Sequence, residues 1–225
     1  MTLDLTGIDN RGEFYSHHYL DTLLESDLKP TLQRWADAEK DTPPARAPYK
    51  ALNGLAGAYF LARAEAADAT SDDDRFATAR AFHARLLDAL GFARRPSLAQ
   101  LDEGAVLPLA HEVVRGGRPV LWVVEAGFAA PGEDPMDASP LPCQLDDDLV
   151  PPTASWRELL DTTVFRGDDP PTWVLFLGGS EVVLTHCHKW SRGKALAFDL
   201  DDLFARRVPA AFRAMSEPMV SHDCI

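Results

Sequence analysis

Pro119-Val120-Leu121-Trp122-Val123-Val124 sets six apolar residues in a row and then stops at Glu125-Ala126-Gly127. A run this short, opened by Arg115-Gly116-Gly117-Arg118, reads as a buried strand rather than a helix. A second apolar run, Val106 to Val114, lies on the other side of the Gly-Gly pair, so the two form an antiparallel hairpin. The strand ends in a carboxylate just where the chain turns polar, which makes Glu125 the first residue with chemistry to consider.

The rest of the chain sorts around that hairpin. Residues 12–40 carry Phe14, Tyr19, Leu20, Leu23, Leu24, Leu28, Leu32 and Trp35 at helical spacing, with a break expected at Pro30. After a Pro-rich loop at Pro43, Pro44 and Pro48, an Ala-rich helix is expected over about 49–67. A third is expected over about 73–90, capped by Ser71 or Asp72 and closed by Gly91. Residues 130–153 concentrate Pro and Asp and read as a surface loop. Trp156 to Phe165 reads as a short helix, and Trp173–Leu177 with Glu181–Thr185 as a second hairpin turned by Gly178-Gly179-Ser180. A strand at about 194–198 then runs into a helical segment ending at Arg206-Arg207.

This order gives an α/β (α+β) expectation: a small mixed sheet of about four to six strands flanked by helices. Its helix-β-β-loop-helix-β run matches a restriction-endonuclease-like core. Three segments are expected: an N-terminal helical region 1–92, a nuclease-like α/β core 93–207, and an atypical C-terminal tail 208–225. The tail opens with an amphipathic piece (Val208, Ala211, Phe212, Met215) that has no evident partner in the sequence.

Bulk properties narrow the function classes. The net charge of -13 argues against a domain that grips DNA tightly on its own, although Arg63, Arg75, Arg80, Arg85, Arg94 and Arg95 offer a local basic patch. The 3 cysteines, Cys143, Cys187 and Cys224, show no Cys-x-x-Cys spacing, so neither a disulfide framework nor a zinc site is indicated. No run reaches the roughly 18 apolar residues of a membrane helix and no signal core opens the chain. The expectation is a cytoplasmic protein with no membrane partner.

Glu112 and Glu125, one on each strand of the first hairpin, are the candidate metal ligands and catalytic residues of a Mg²⁺-dependent endonuclease. Such a site needs converging carboxylates and a cation near the attacking water, and the resemblance to a restriction-endonuclease-like core implies the pattern Glu-x-Lys. Gly127 stands where that Lys would be, and Lys50, Lys189 and Lys194 are the nearest lysines to the sheet region, so catalysis is not expected of this chain. His186-Cys187-His188 would place two imidazoles on one strand face but lacks further donors for zinc. Asp168-Asp169-Pro170-Pro171-Thr172-Trp173 approaches an adenine-methylase motif, yet Thr172 holds the place of the stacking aromatic, and a turn before a strand explains it.

Three stretches together resemble one family. They are Gly7-Ile8-Asp9-Asn10-Arg11-Gly12-Glu13-Phe14-Tyr15-Ser16 with Tyr19-Leu20; Leu121 to Ala126 with Asp134-Pro135-Met136; and Trp173 to Gly179 through Trp190, Gly193 and Ala195 to Arg207. The pattern is similar to the N-terminal region of type IIG-like adenine-specific DNA methyltransferases of bacterial phage-defence systems, of the DISARM and phage-growth-limitation type. In that family methyl transfer occurs in a downstream domain with an S-adenosylmethionine loop and an (Asn/Asp)-Pro-Pro-aromatic motif. The resemblance implies a non-catalytic N-terminal module, or a truncated fragment, without the methylase domain and with no cofactor of its own. DNA would be reached through the parent methyltransferase, alongside protein partners of the defence system.

Overall fold

The computed structural model describes residues 4–42, 46–101, 106–129, 132–140 and 155–220. The sheet expectation holds: the fold is mixed α/β, with a six-stranded sheet in the order β1-β8-β7-β6-β5-β4 and a separate two-stranded sheet, β2-β3. The strands are β1 (Ile8–Arg11), β2 (Ser97–Gln100), β3 (Val106–Leu109), β4 (His111–Arg115), β5 (Arg118–Glu125), β6 (Trp173–Leu177), β7 (Glu181–His186) and β8 (Ala195–Asp199). The helices are α1 (Leu24–Asp41), α2 (Pro48–Asn53), α3 (Ala56–Asp68), α4 (Asp72–Leu90), α5 (Trp156–Leu159), α6 (Cys187–Trp190), α7 (Leu200–Arg206) and α8 (Pro209–Val220). π-Helical turns at Tyr19–Leu23 and Leu160–Val164 lead into α1 and follow α5.

Both faces of the large sheet are covered, which is why its strands read as unbroken apolar runs. Leu121 and Val123 of β5, Leu175 and Leu177 of β6 and Leu196 and Phe198 of β8 pack with α2, α3, α4, α7 and α8. Trp122 and Val124, Val174 and Phe176, and Ala195 and Ala197 alternate with them and pack toward α5, its π turn and the small sheet. β5 and β6 are parallel, joined by the crossover through α5, whereas every other neighbouring pair is antiparallel.

Several elements depart from the expected ones for identifiable reasons. Residues 12–16 are not helical: the Asn10 side chain bonds the Tyr15 carbonyl and accepts from the Tyr15 N–H, closing a turn. Pro30 does not break α1; it is exposed, and buried Leu24, Leu28 and Thr31 anchor the helix on either side. The Ala-rich segment is two helices, α2 and α3, with the chain breaking at Gly54-Leu55. α4 begins and ends as its sequence requires: Ser71 Oγ accepts from the Asp74 N–H, and Gly91 takes a left-handed φ of 88°.

The run 106–114 is not one strand. Pro108 has no N–H to give the large sheet, and β3 pairs instead with β2, opposite Leu98. Ala110 then donates to the Val123 carbonyl at 2.8 Å, and β4 joins β5 as the expected hairpin. β1, unforeseen as a strand, adds to the sheet edge beside β8. One core cluster draws residues from Phe14 through Met219, across all three expected segments. α8 has the partner its sequence did not reveal: it lies against α2 and buries Ala211, Phe212, Met215 and Met219. Within the Pro/Asp loop, Met136 is fully buried and its carbonyl accepts from the Arg157 N–H, so this part is docked rather than loose. Residues 141–154, with Asp146-Asp147-Asp148, lie outside the described residues. Among the described residues no helix is long and apolar enough to cross a membrane.

Candidate functional site

The parallel strands β5 and β6 end side by side, with Glu125 opposite Leu177. Because Val124 faces α5, the next residue, Glu125, points to the other face, under α4. There the carboxylate meets two groups. Arg94, brought back along the sheet by the turn at Gly91, places one guanidinium nitrogen 2.8 Å from Glu125 Oε2 and its Nε 3.4 Å from Oε1. His83 of α4, with no exposed surface, places Nδ1 3.6 Å from Oε1. Its Nε2 lies 3.2 Å from the Gly178 carbonyl, which can only accept, so the Nε2 proton is committed there. His83 Nδ1 has no hydrogen-bond partner among the described residues.

Burial pushes the Glu125 carboxyl up, but His83 and Arg94 outweigh it and hold it below the ordinary carboxylate range. The carboxylate is therefore charged and already neutralised by a guanidinium. It lines a cleft of about 230 Å³ between α4 and the small sheet, with Phe76, Arg80, Arg94, Leu98 and Pro108 among the lining residues.

Glu112 is not part of this site. It sits opposite Trp122 on the other face of the sheet, where its carboxylate accepts from the Trp122 indole N–H at 3.0 Å. The two sequence candidates therefore do not converge. Lys189 and Lys194 are engaged elsewhere, donating to the Phe14 and Glu13 carbonyls, and the cation beside Glu125 is an arginine. Mg²⁺ does not fit here: a guanidinium fills the position a cation would take, and the second carboxylate is across the sheet. Among the described residues no three His, Cys, Asp or Glu side chains are grouped to hold a metal.

Of His186-Cys187-His188 only His186 lies on a strand. His186 ends β7 and its Nδ1 accepts from the His188 N–H, capping the short α6; burial raises the half-buried Cys187 thiol. The Asp168–Thr172 stretch is irregular and β6 starts at Trp173, as a turn before a strand requires. Trp122, Trp156 and Trp190 are buried and Trp173 half-buried, all as packing residues.

A second polar cluster draws together residues far apart in the chain. Arg11 of β1 pairs with Asp9, Asp134 and Glu181, and Asp134 also takes Arg157. Burial pushes the Glu181 carboxyl up to about 7, with Asp134 and Asp199 adding to the effect against the pull of Arg11. Neither Arg11 nor Glu181 stood out in the sequence, because the Arg11 contacts to Asp134 and Glu181 span more than a hundred residues. His83 belongs to no motif in the sequence. Its spacing on α4 with Phe76, Ala79 and Leu86 on the buried face was the available signal. Comparisons of the chain with protein-family models, curated proteins and solved structures find no match.

Proposed function

We propose that this chain is a non-catalytic, nuclease-like N-terminal module of a restriction-modification or phage-defence adenine DNA methyltransferase. It works by contact with the methylase body, a partner protein of the defence system or DNA; S-adenosylmethionine chemistry belongs to the separate methylase region. The observation that carries this reading is the Glu125–Arg94 pair. The run α4-β2-β3-β4-β5-α5-β6 is compatible with a nuclease-like core, and the strand-end carboxylate is spent on an internal guanidinium. Further support comes from the stretches that resemble the family, two of which interlock through Arg11, Asp134 and Glu181.

The competing reading, a Mg²⁺-dependent endonuclease using Glu112 and Glu125, needs both carboxylates at one metal, and they face opposite sides of the sheet. The module reading is tested by supplying the chain in trans to a methyltransferase catalytic region of the family expressed without its own N-terminal part. Co-elution in size-exclusion chromatography is the expected result, and no association would count against it.

A further inference from the structure

We infer that the outward face of the α3–α4 helix pair is a self-association surface, occupied by a second copy of this chain related by a two-fold axis. The inference stands apart from the module reading above, which uses none of these residues.

Helix α3 is apolar on two opposite sides. Ala56, Tyr59, Ala62 and Ala66 are buried on one of them. At about 100° per residue, Gly57, Phe60, Leu61 and Ala64 fall on the other, and all four are exposed. Leu61 is 59% exposed and Phe60 39%. An amphipathic surface helix turns polar residues outward, whereas one that is apolar all round is covered all round. A contiguous apolar patch of this kind marks a contact surface. Ala81 of α4 is exposed beside Leu61, across a groove of about 80 Å³. That volume is far below the roughly 300–1,000 Å³ of small-molecule pockets, so the face meets another surface rather than a ligand.

The charges on the groove single out a copy. Glu65 of α3 and Arg85 of α4 both line it and both are exposed. Among the described residues neither has an ion-pair or hydrogen-bond partner. The neighbouring cations are engaged: Arg63 with Asp201 at 3.0 Å, Arg75 with Asp72 at 2.7 Å, and Arg80 over the Phe76 ring. The short connection between α3 and α4 makes them antiparallel neighbours, so Glu65 lies near the turn and Arg85 roughly 15 Å further along the groove. A two-fold axis in the interface, midway between them, sets Glu65 of each copy against Arg85 of the other, both pairs at once. A wholly acidic or wholly basic partner would meet a charge of its own sign. Two copies repel overall at a net charge of -13, and a groove lined by one acid and one base is where they can meet. The 13 residues of α3 span about 20 Å and the helix pair is about as wide, which gives on the order of 400 Å² per copy. That is under the roughly 800 Å² per partner of a standard interface, so the dimer is weak, with a Kd on the order of 100 μM.

The test is sedimentation equilibrium of the full chain from about 10 to about 600 μM, where a monomer–dimer equilibrium is expected. Leu61→Asp, at an exposed position, should weaken it at least about tenfold by setting a charge in the apolar centre. Glu65→Arg and Arg85→Glu should each weaken it about fivefold, since each variant faces its own copy with two like-charge pairs. An equimolar mixture of those two variants should dimerise as the wild type does, because both cross-pairs are again opposite in sign. A monomer at every concentration, a dimer that Leu61→Asp leaves unchanged, or a mixture of the charge variants that stays monomeric would each overturn the surface. So would a wild type that stays monomeric but loses its association with the methylase region on Leu61→Asp, which would give the face to that partner. Failure of self-association leaves the module reading untouched, since that reading stands or falls on association in trans and on cleavage.

Discussion

Arg94 and Glu125, 31 residues apart in the chain, form a partly buried ion pair at 2.8 Å beneath α4. Breaking such a pair from one side strands the other charge. Arg94→Ala should therefore destabilise the fold by roughly 2–3 kcal/mol, the low end for a buried pair because Arg94 retains 21% side-chain exposure. Urea denaturation checks this, with an unchanged midpoint as the contrary result. The Glu125 carboxyl is depressed relative to its ordinary 4.5. The stability it contributes is present above that value and is lost as pH falls through the folded-state value, and Arg94→Ala should weaken this acid sensitivity.

Glu181 behaves in the opposite sense. Its folded carboxyl is raised to about 7 from 4.5, so its contribution is fully present below 4.5 and disappears as pH rises through 7. Wild-type stability should fall between pH 5 and pH 8 on this account, and Glu181→Gln should flatten that slope while leaving the fold intact. Denaturation midpoints at the two pH values give the answer, and an unaltered slope in the variant would refute the assignment.

Gly179 is required by contact, not by φ. A Cβ there would collide with Phe128, whose chain segment is held by the Gly179 N–H donating to the Gly127 carbonyl at 3.2 Å. Gly179→Ala should cost about 1–3 kcal/mol through overpacking at the ends of β5 and β6. Thermal unfolding measures it, and a neutral outcome would show that this turn is pliable.

Met215 is fully buried on α8, in the same cluster as Leu121 and Leu175 of the central strands. Met215→Ala should cost about 2–5 kcal/mol and lower a single cooperative transition. An early, separate transition for the C-terminal segment would instead show that α8 is an appendage.

The sequence made β5, β6, β7 and β8 legible because both faces of each strand are covered, which writes continuous apolar runs between Gly-rich turns. Helix α4 was legible from its end to end signals, Ser71 and Gly91. What escaped is non-local. β1 has an intermediate, half-polar pattern and exists through its pairing with β8. The interruption at Ala110 follows from Pro108 finding a partner in β2, a strand too short and mixed to register as one. Glu125 was visible as a strand-end carboxylate, but its neutralisation by Arg94 and the buried His83 beneath it depend on how α4 folds back over the sheet. Glu112 looked equivalent to Glu125 until strand alternation placed it on the far face.

The most direct measurement is plasmid cleavage: supercoiled, unmethylated DNA with 10-fold serial increases of the chain in Mg²⁺ and in Mn²⁺ buffers, alongside Glu125→Gln. With the carboxylate held by Arg94, the supercoiled band should persist at every concentration for both proteins. Metal-dependent nicking by the wild type that disappears in Glu125→Gln would contradict the non-catalytic reading.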